Sequence, residues 1–285
     1  MEFSLWNLFI LIFFVMAFFP AYQQRKLDAL RERLRKKIQR RDGSQVIVMI
    51  HRQETLSLLG IPLQRHIDIE DSERILRVIR KTSDDVPIDL ILHTPGGLVL
   101  ASEQIALALA AHPARVRVMV PHYAMSGGTL LALAADEIMM DPNAVLGPID
   151  PQLGGCPAVS VLATIREKGA EKVDDQTLIM GDIARKAITQ VRHNVYALLE
   201  NKHDPDKARE IARNLTEGRW THDYPLHINE LEALGIPVTP GLPTDVYDLM
   251  DLYPQPSPRR PSVQYIPPPP GQDAPKRNGR DSMFS

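Results

Sequence analysis

Along the chain, short stretches that are apolar throughout alternate with longer ones in which apolar residues recur every three or four positions. Val46–Ile50, Ile88–Leu92 and Val116–Val120 are compact aliphatic runs, with shorter ones at Ile138–Met140 and Val145–Leu146. Between them, Glu73–Ile79 with Ser72 as its capping residue, residues 98–111 and residues 127–135 carry helical patterns. Strands that are apolar on both faces and alternate with helices predict an α/β fold: a parallel sheet with flanking helices. Further helices are expected over 177–201, 205–215 and 228–234.

The two ends depart from this pattern. Phe3–Phe19 is interrupted only by Ser4 and Asn7, the short end of the roughly 17–25 residues that span a hydrocarbon core. Glu2 precedes the run and the cations follow it, the reverse of a cleavable secretory signal. Residues 1–22 are therefore expected to be a transmembrane anchor with its N-terminus out and the rest of the chain in the cytoplasm. Residues 23–44 hold Leu27, Leu30, Leu34 and Ile38 at helical spacing amid many cations, which predicts a basic juxtamembrane helix lying on lipid headgroups. Beyond about residue 253 the chain turns Pro-rich, with nine of its 24 prolines between Pro254 and Pro275, and a tail over 253–285 without a core is expected. Residues 45–252 remain as one domain.

Charge sharpens this division. The net −2 is the sum of +6 in residues 1–41 and −8 in the remainder. An acidic body argues against nucleic acid as a partner. Cys156 is the single cysteine, which excludes an internal disulfide and a cysteine-cluster metal site; no cofactor or metal is expected.

Two glycine-rich turns carry the candidate chemistry. His93-Thr94-Pro95-Gly96-Gly97 ends one predicted strand, and Ala124-Met125-Ser126-Gly127-Gly128 ends the next, each opening a helix. Ligands bind at this carboxyl edge of parallel sheets. A serine at a helix N-terminus, facing backbone N–H groups from a second glycine turn, supplies what acyl transfer requires: a nucleophile and an oxyanion hole.

Thr94-Pro95-Gly96-Gly97 resembles the S/T-P-G-G segment of Clp-type proteases and signal peptide peptidase A. Residues 124–129, Ala134-Ala135-Asp136-Glu137-Ile138, Asp141-Pro142 and Leu146-Gly147-Pro148-Ile149 are similar to the peptidase A pattern. The apolar N-terminus, Ser126-Gly127-Gly128-Thr129 and Trp220-Thr221-His222-Asp223-Tyr224-Pro225 look most like the serine dehydrogenase proteinase family. The resemblance implies a Clp/crotonase-like fold preceded by one N-terminal transmembrane helix. It implies Ser126 as nucleophile and the Gly97 and Gly127 amides as oxyanion hole. It also implies a homo-oligomer acting on peptide or membrane-protein substrates, with the N-terminal helix in the lipid bilayer.

The general base is less direct. Asp150 stands where Clp-type proteases have a histidine, and Asp223 matches the position of their acid. A Ser-Lys dyad is expected instead, with Lys186 as base; Lys172, Lys168, His93 and His193 are the alternatives. Two other functions stay open: acyl-CoA chemistry of the crotonase kind, and a non-catalytic membrane scaffold.

Overall fold

A computed structural model describes residues 5–51 and 66–253, with the backbone only of residues 5–17 and 20. The chain runs through helix α1 (Leu5–Asp42), strand β1 (Gln45–Ile50), α2 (Ile69–Lys81), β2 (Ile88–His93), α3 (Val99–Ala110), β3 (Val116–Val120) and β4 (Tyr123–Ala124). It continues with α4 (Gly127–Ala134), β5 (Glu137–Met140), β6 (Val145–Leu146) and the hairpin strands β7 (Gln152–Leu153) and β8 (Cys156–Pro157). Helices α5 (Ala158–Lys168), α6 (Asp175–Leu199), α7 (Pro205–Thr216) and α8 (Ile228–Leu234), strand β9 (Thr239–Pro240) and helix α9 (Thr244–Asp251) complete it. The order β1-β2-β3-β5-β9 forms one sheet, parallel throughout, as the apolar runs predict.

The apolar strands are buried because both faces are covered. All six residues of β2 are buried. Leu90, Leu92, Val118 and Val120 join the main core with α3, α4 and α7, whereas Ile91 and Met119 belong to a second core with Ile38 of α1 and Val246 and Leu249 of α9. This division follows the two-residue period of a strand.

The N-terminal region departs from expectation. Residues 5–42 form one continuous helix, with no break between anchor and basic segment. The expected anchor falls largely on residues outside the described side chains; among the described residues no helix is long and apolar enough to cross a membrane. The basic half of α1 docks on the body instead of standing free. Ile38 is fully buried, Lys37 and Arg41 bind Asp245, and Arg31 donates to the Leu252 carbonyl while lying over the Tyr253 ring. The Pro-rich tail expected from residue 253 lies, beyond Tyr253, outside the described residues.

Two further differences concern caps and charges. Helix α2 begins four residues earlier than its sequence pattern suggests, with Asp68 and Asp71 closing a capping box, and Ser72 is buried inside the helix. At the base of the sheet Arg117 forks onto Asp89, both bonds 2.8 Å, and reaches Asp42 at 2.6 Å. With Arg41 and Arg117 beside it, the Asp42 carboxyl is held down at about 2.

Candidate active site

The two glycine turns meet at the carboxyl edge of the sheet. Thr94 ties them together: its N–H donates to Tyr123 O at 3.2 Å, and its carbonyl accepts from Met125 N at 3.0 Å. Ser126 follows as the N-cap of α4, with φ 51° and ψ −112°. Among the described residues it is the one non-glycine with positive φ. Such a backbone costs about 1–3 kcal/mol and persists only where its surroundings impose it, which points to a functional position.

The glycines are explained by contacts. A Cβ on Gly96, whose φ is 103°, would lie 2.9 Å from both Met125 O and Ser126 Cβ. A Cβ on Gly127 would lie 2.2 Å from Ser102 Oγ, and one on Gly128 2.6 Å from Thr94 Cγ2. Gly97 is the most confined, because residues 96–98 pair with Ile67: Ile67 N donates to Gly96 O at 2.7 Å, and Leu98 N donates to Ile67 O at 2.8 Å. In that pairing alternate residues face opposite ways, so the Gly97 N–H is turned away from Ile67. Gly97, Ser126 and Gly127 line one narrow cleft, together with Val99, Ser102, Leu130, Ile149, Asp150, Val191 and Asn194.

Behind the first turn lies a support that the sequence did not announce. His51 Nδ1 is 2.9 Å from Thr94 Oγ1 and its Nε2 is 3.1 Å from Asp71. Thr94 Oγ1 in turn accepts from Gly96 N at 3.2 Å. Burial pushes the Asp71 carboxyl up, but His51, the Asp68 amide and Arg74 outweigh it and hold it below the usual carboxylate range. At the far end of α4, Lys202 Nζ donates to the carbonyls of Leu133, Ala134 and Ala135 at 3.1, 2.7 and 2.6 Å. Loss of hydration at this helix end pushes the ammonium down, with Asp136 pulling the other way.

Asp150 lines the cleft, and it is 3% exposed. His222 Nδ1 lies 2.7 Å from Asp150 Oδ1, and Gln152 Nε2 donates to Oδ2 at the same distance. The two partners are 72 residues apart but are brought together by paired backbone: Leu146 and Leu226 exchange hydrogen bonds at 3.0 and 2.9 Å. The Asp150 hydrogen bond raises the His222 imidazole above its ordinary value; burial opposes this, and the charges of Asp150 and Asp223 add to it.

The expected lysine base is placed elsewhere. Lys186 is two turns before Asn194 on α6, with Nζ 2.6 Å from Asp182 and its side chain 69% exposed. Ala184, Ile188, Val191 and Val195 take the buried face of α6, which leaves Lys186 to solvent. Lys168 and Lys172 are exposed, and none of the three lysines lines the cleft. His93 is fully buried with its ring centroid 4.2 Å from that of Tyr123, and His193 lines a surface hollow between α6 and α7. Asp223, expected at the acid position, is exposed; its neighbour His222 turns inward instead. The signal for His222 was present only as its place in the Trp220–Pro225 segment. Among the described residues no group of histidine, cysteine and carboxylate side chains fits a metal ion.

Comparison with known proteins shows the family. Two uncharacterized proteins of Methanocaldococcus jannaschii, MJ0137 and MJ1495, are 55% and 54% identical over 263 and 272 residues, covering 92% and 95% of this chain and 92% and 93% of their own. Among solved structures, ClpP1 from Listeria monocytogenes superposes with a TM-score of 0.45 at 14% identity, over 72% of this chain and 96% of that one. Residues 2–280 match the family described as ClpP-like SDH-type serine proteinase. The chain belongs to that family of ClpP-like serine proteinases.

Proposed function

We propose that the protein is a serine endopeptidase in which Ser126 attacks the peptide carbonyl and the Gly97 and Gly127 amides hold the resulting oxyanion. The observation that carries this reading is the positive φ of Ser126 at the N-terminus of α4, in a cleft shared with Gly97. The helix dipole and its free N–H groups favour negative charge at that point, where the tetrahedral intermediate places it. Acyl transfer then gives an acyl-enzyme, released by water.

The surroundings support a peptide substrate and self-association. Leu98, Val99 and Leu100, directly after the oxyanion turn, are exposed, as are Leu178, Ile179 and Ile183 on α6. Apolar surface of this kind is what an extended chain or a second copy covers. Placement rests on sequence: the run Phe3–Phe19 and the cations after it support a single-pass anchor in the cytoplasmic membrane, N-terminus out, with Ser126 acting on the cytoplasmic side. The Ser-Lys dyad gains no support from the position of Lys186.

The test is hydrolysis of a quenched fluorescent casein by the full chain in detergent. Wild type is expected to release fluorescence and Ser126→Ala to release none. No fluorescence from casein alongside turnover of an acyl-CoA thioester would replace the peptidase reading with the crotonase one. Neither activity in a folded protein would favour a scaffold.

A further inference from the structure

Proton transfer at Ser126 needs an acceptor in the cleft, and among the described residues no lysine lines it. Among the described residues, the buried side chain that does so and carries a charge is Asp150. A carboxylate has about four lone-pair sites. Two are taken by His222 and Gln152, which fix its plane and leave acceptor capacity on both oxygens. A buried carboxylate without a partner is costly, and an imidazole at hydrogen-bond distance offsets that cost. The arrangement has the parts of a serine-peptidase triad in reversed order, with the carboxylate lining the cleft that holds the serine and the histidine bonded to it from outside that lining.

We propose that Asp150 is the proton acceptor for Ser126 and that His222 is its positioning residue, orienting the carboxylate and tuning its basicity from behind. This rests on Ser126 being the nucleophile. As the Ser126 Oγ–carbon bond forms, its proton passes to Asp150 and the carbonyl electron pair moves onto the oxygen facing Gly97 and Gly127. On collapse Asp150 returns the proton to the leaving nitrogen and the C–N bond breaks, leaving the acyl ester. Water then gives a proton to Asp150 as it attacks, and that proton returns to Oγ as the ester bond breaks. The acceptor needs to hold the proton only through these transition states.

The arrangement predicts a pH signature. Among the described residues, the charged groups facing His222 are Asp150 and Asp223. While His222 is protonated it weakens Asp150 as a base, and when it loses its proton Asp150 strengthens. Since Asp150 holds the His222 proton more tightly than usual, the reaction rate rises with pH through a window above the ordinary histidine value of about 6.5.

The experiment measures the rate of labelling by a fluorophosphonate from pH 5.5 to 9 on the full chain, with thermal melting of each variant as a check of folding. Wild type is expected to show the rising limb. His222→Gln is expected to abolish the limb and slow labelling about tenfold, and Asp150→Asn to slow it at least about 100-fold, the scale of lost general base catalysis. Lys186→Met is expected to label at the wild-type rate. A flat wild-type profile, an unchanged limb in His222→Gln, or full-rate labelling of folded Asp150→Asn overturns the assignment. The wild-type profile and the partly exposed His222 keep the test decisive even if Asp150→Asn fails to fold. A wild type that takes no label at any pH is a distinct failure, that of the serine-nucleophile reading itself.

Discussion

Gly97→Ala isolates the proposed oxyanion turn from every side chain of the site. The added Cβ would lie 2.2 Å from Ile67 O, 2.4 Å from Ile67 N and 2.7 Å from Ile67 Cα, all backbone atoms that cannot rotate aside. Ordinary contact begins about 3.4 Å away, so the turn or the Ile67 segment must shift by about 1 Å. That shift breaks the hydrogen bonds from Ile67 N to Gly96 O and from Leu98 N to Ile67 O. At about 1 kcal/mol each, the loss is about 2 kcal/mol, or about 4–8 °C in melting temperature for a domain of this size. The catalytic loss is larger. A misplacement of about 1 Å costs about 100-fold, and removal of one oxyanion donor about 100–1,000-fold. The assay is the second-order rate of fluorophosphonate labelling beside a melting curve, with Gly43→Ala as control. Gly43 also has positive φ but has nothing within 4 Å of its Cβ position, so it should lose some stability and no labelling rate. Folded Gly97→Ala that labels within threefold of wild type would refute the role given to this turn.

Other perturbations separate support from chemistry. Lys202→Met leaves three carbonyls at the C-terminal end of α4 without this donor; with water able to replace part of the loss, melting should show about 1–2 kcal/mol of destabilisation and little change in labelling rate per folded molecule. Arg117→Met strands the fully buried Asp89 and should cost about 3–5 kcal/mol by chemical denaturation. His222 is raised in the folded state, so its contribution to stability is complete below about pH 6.5 and lost as pH rises through the folded value. The stability gap between wild type and His222→Gln should therefore be wider at pH 5.5 than at pH 9, and a gap that widens with pH would contradict the hydrogen bond to Asp150.

The parallel sheet and the two glycine turns at its carboxyl edge were legible because they depend on local signals. β3 and α8 fall where the apolar pattern puts them, and Ser126 with its two glycine turns follows from strand ends and residue type. What escaped depends on contacts between distant segments. His222 meets Asp150 only through the pairing of Leu146 with Leu226, and a shift of one residue along the chain exchanged Asp223 for His222. Lys186 illustrates the opposite case: Ala184, Ile188, Val191 and Val195 take the buried face of α6, so the helical period alone turns Lys186 to solvent, against the resemblance that favoured it. Helices α5 and α9 were missed. α5 has few buried residues to mark its face, and α9 is eight residues long with its apolar positions turned toward α1. The docking of α1 was hidden by its many cations, of which Lys37 and Arg41 face Asp245.

The central claim is that Ser126 is the nucleophile of the cleft. The direct measurement is a peptide map of the full chain after fluorophosphonate treatment, compared with Ser126→Ala. A single adduct on Ser126 in wild type, and none in the variant, is the predicted result. An adduct on Ser102, the other serine lining the cleft among the described residues, or none on a folded wild type, would contradict it.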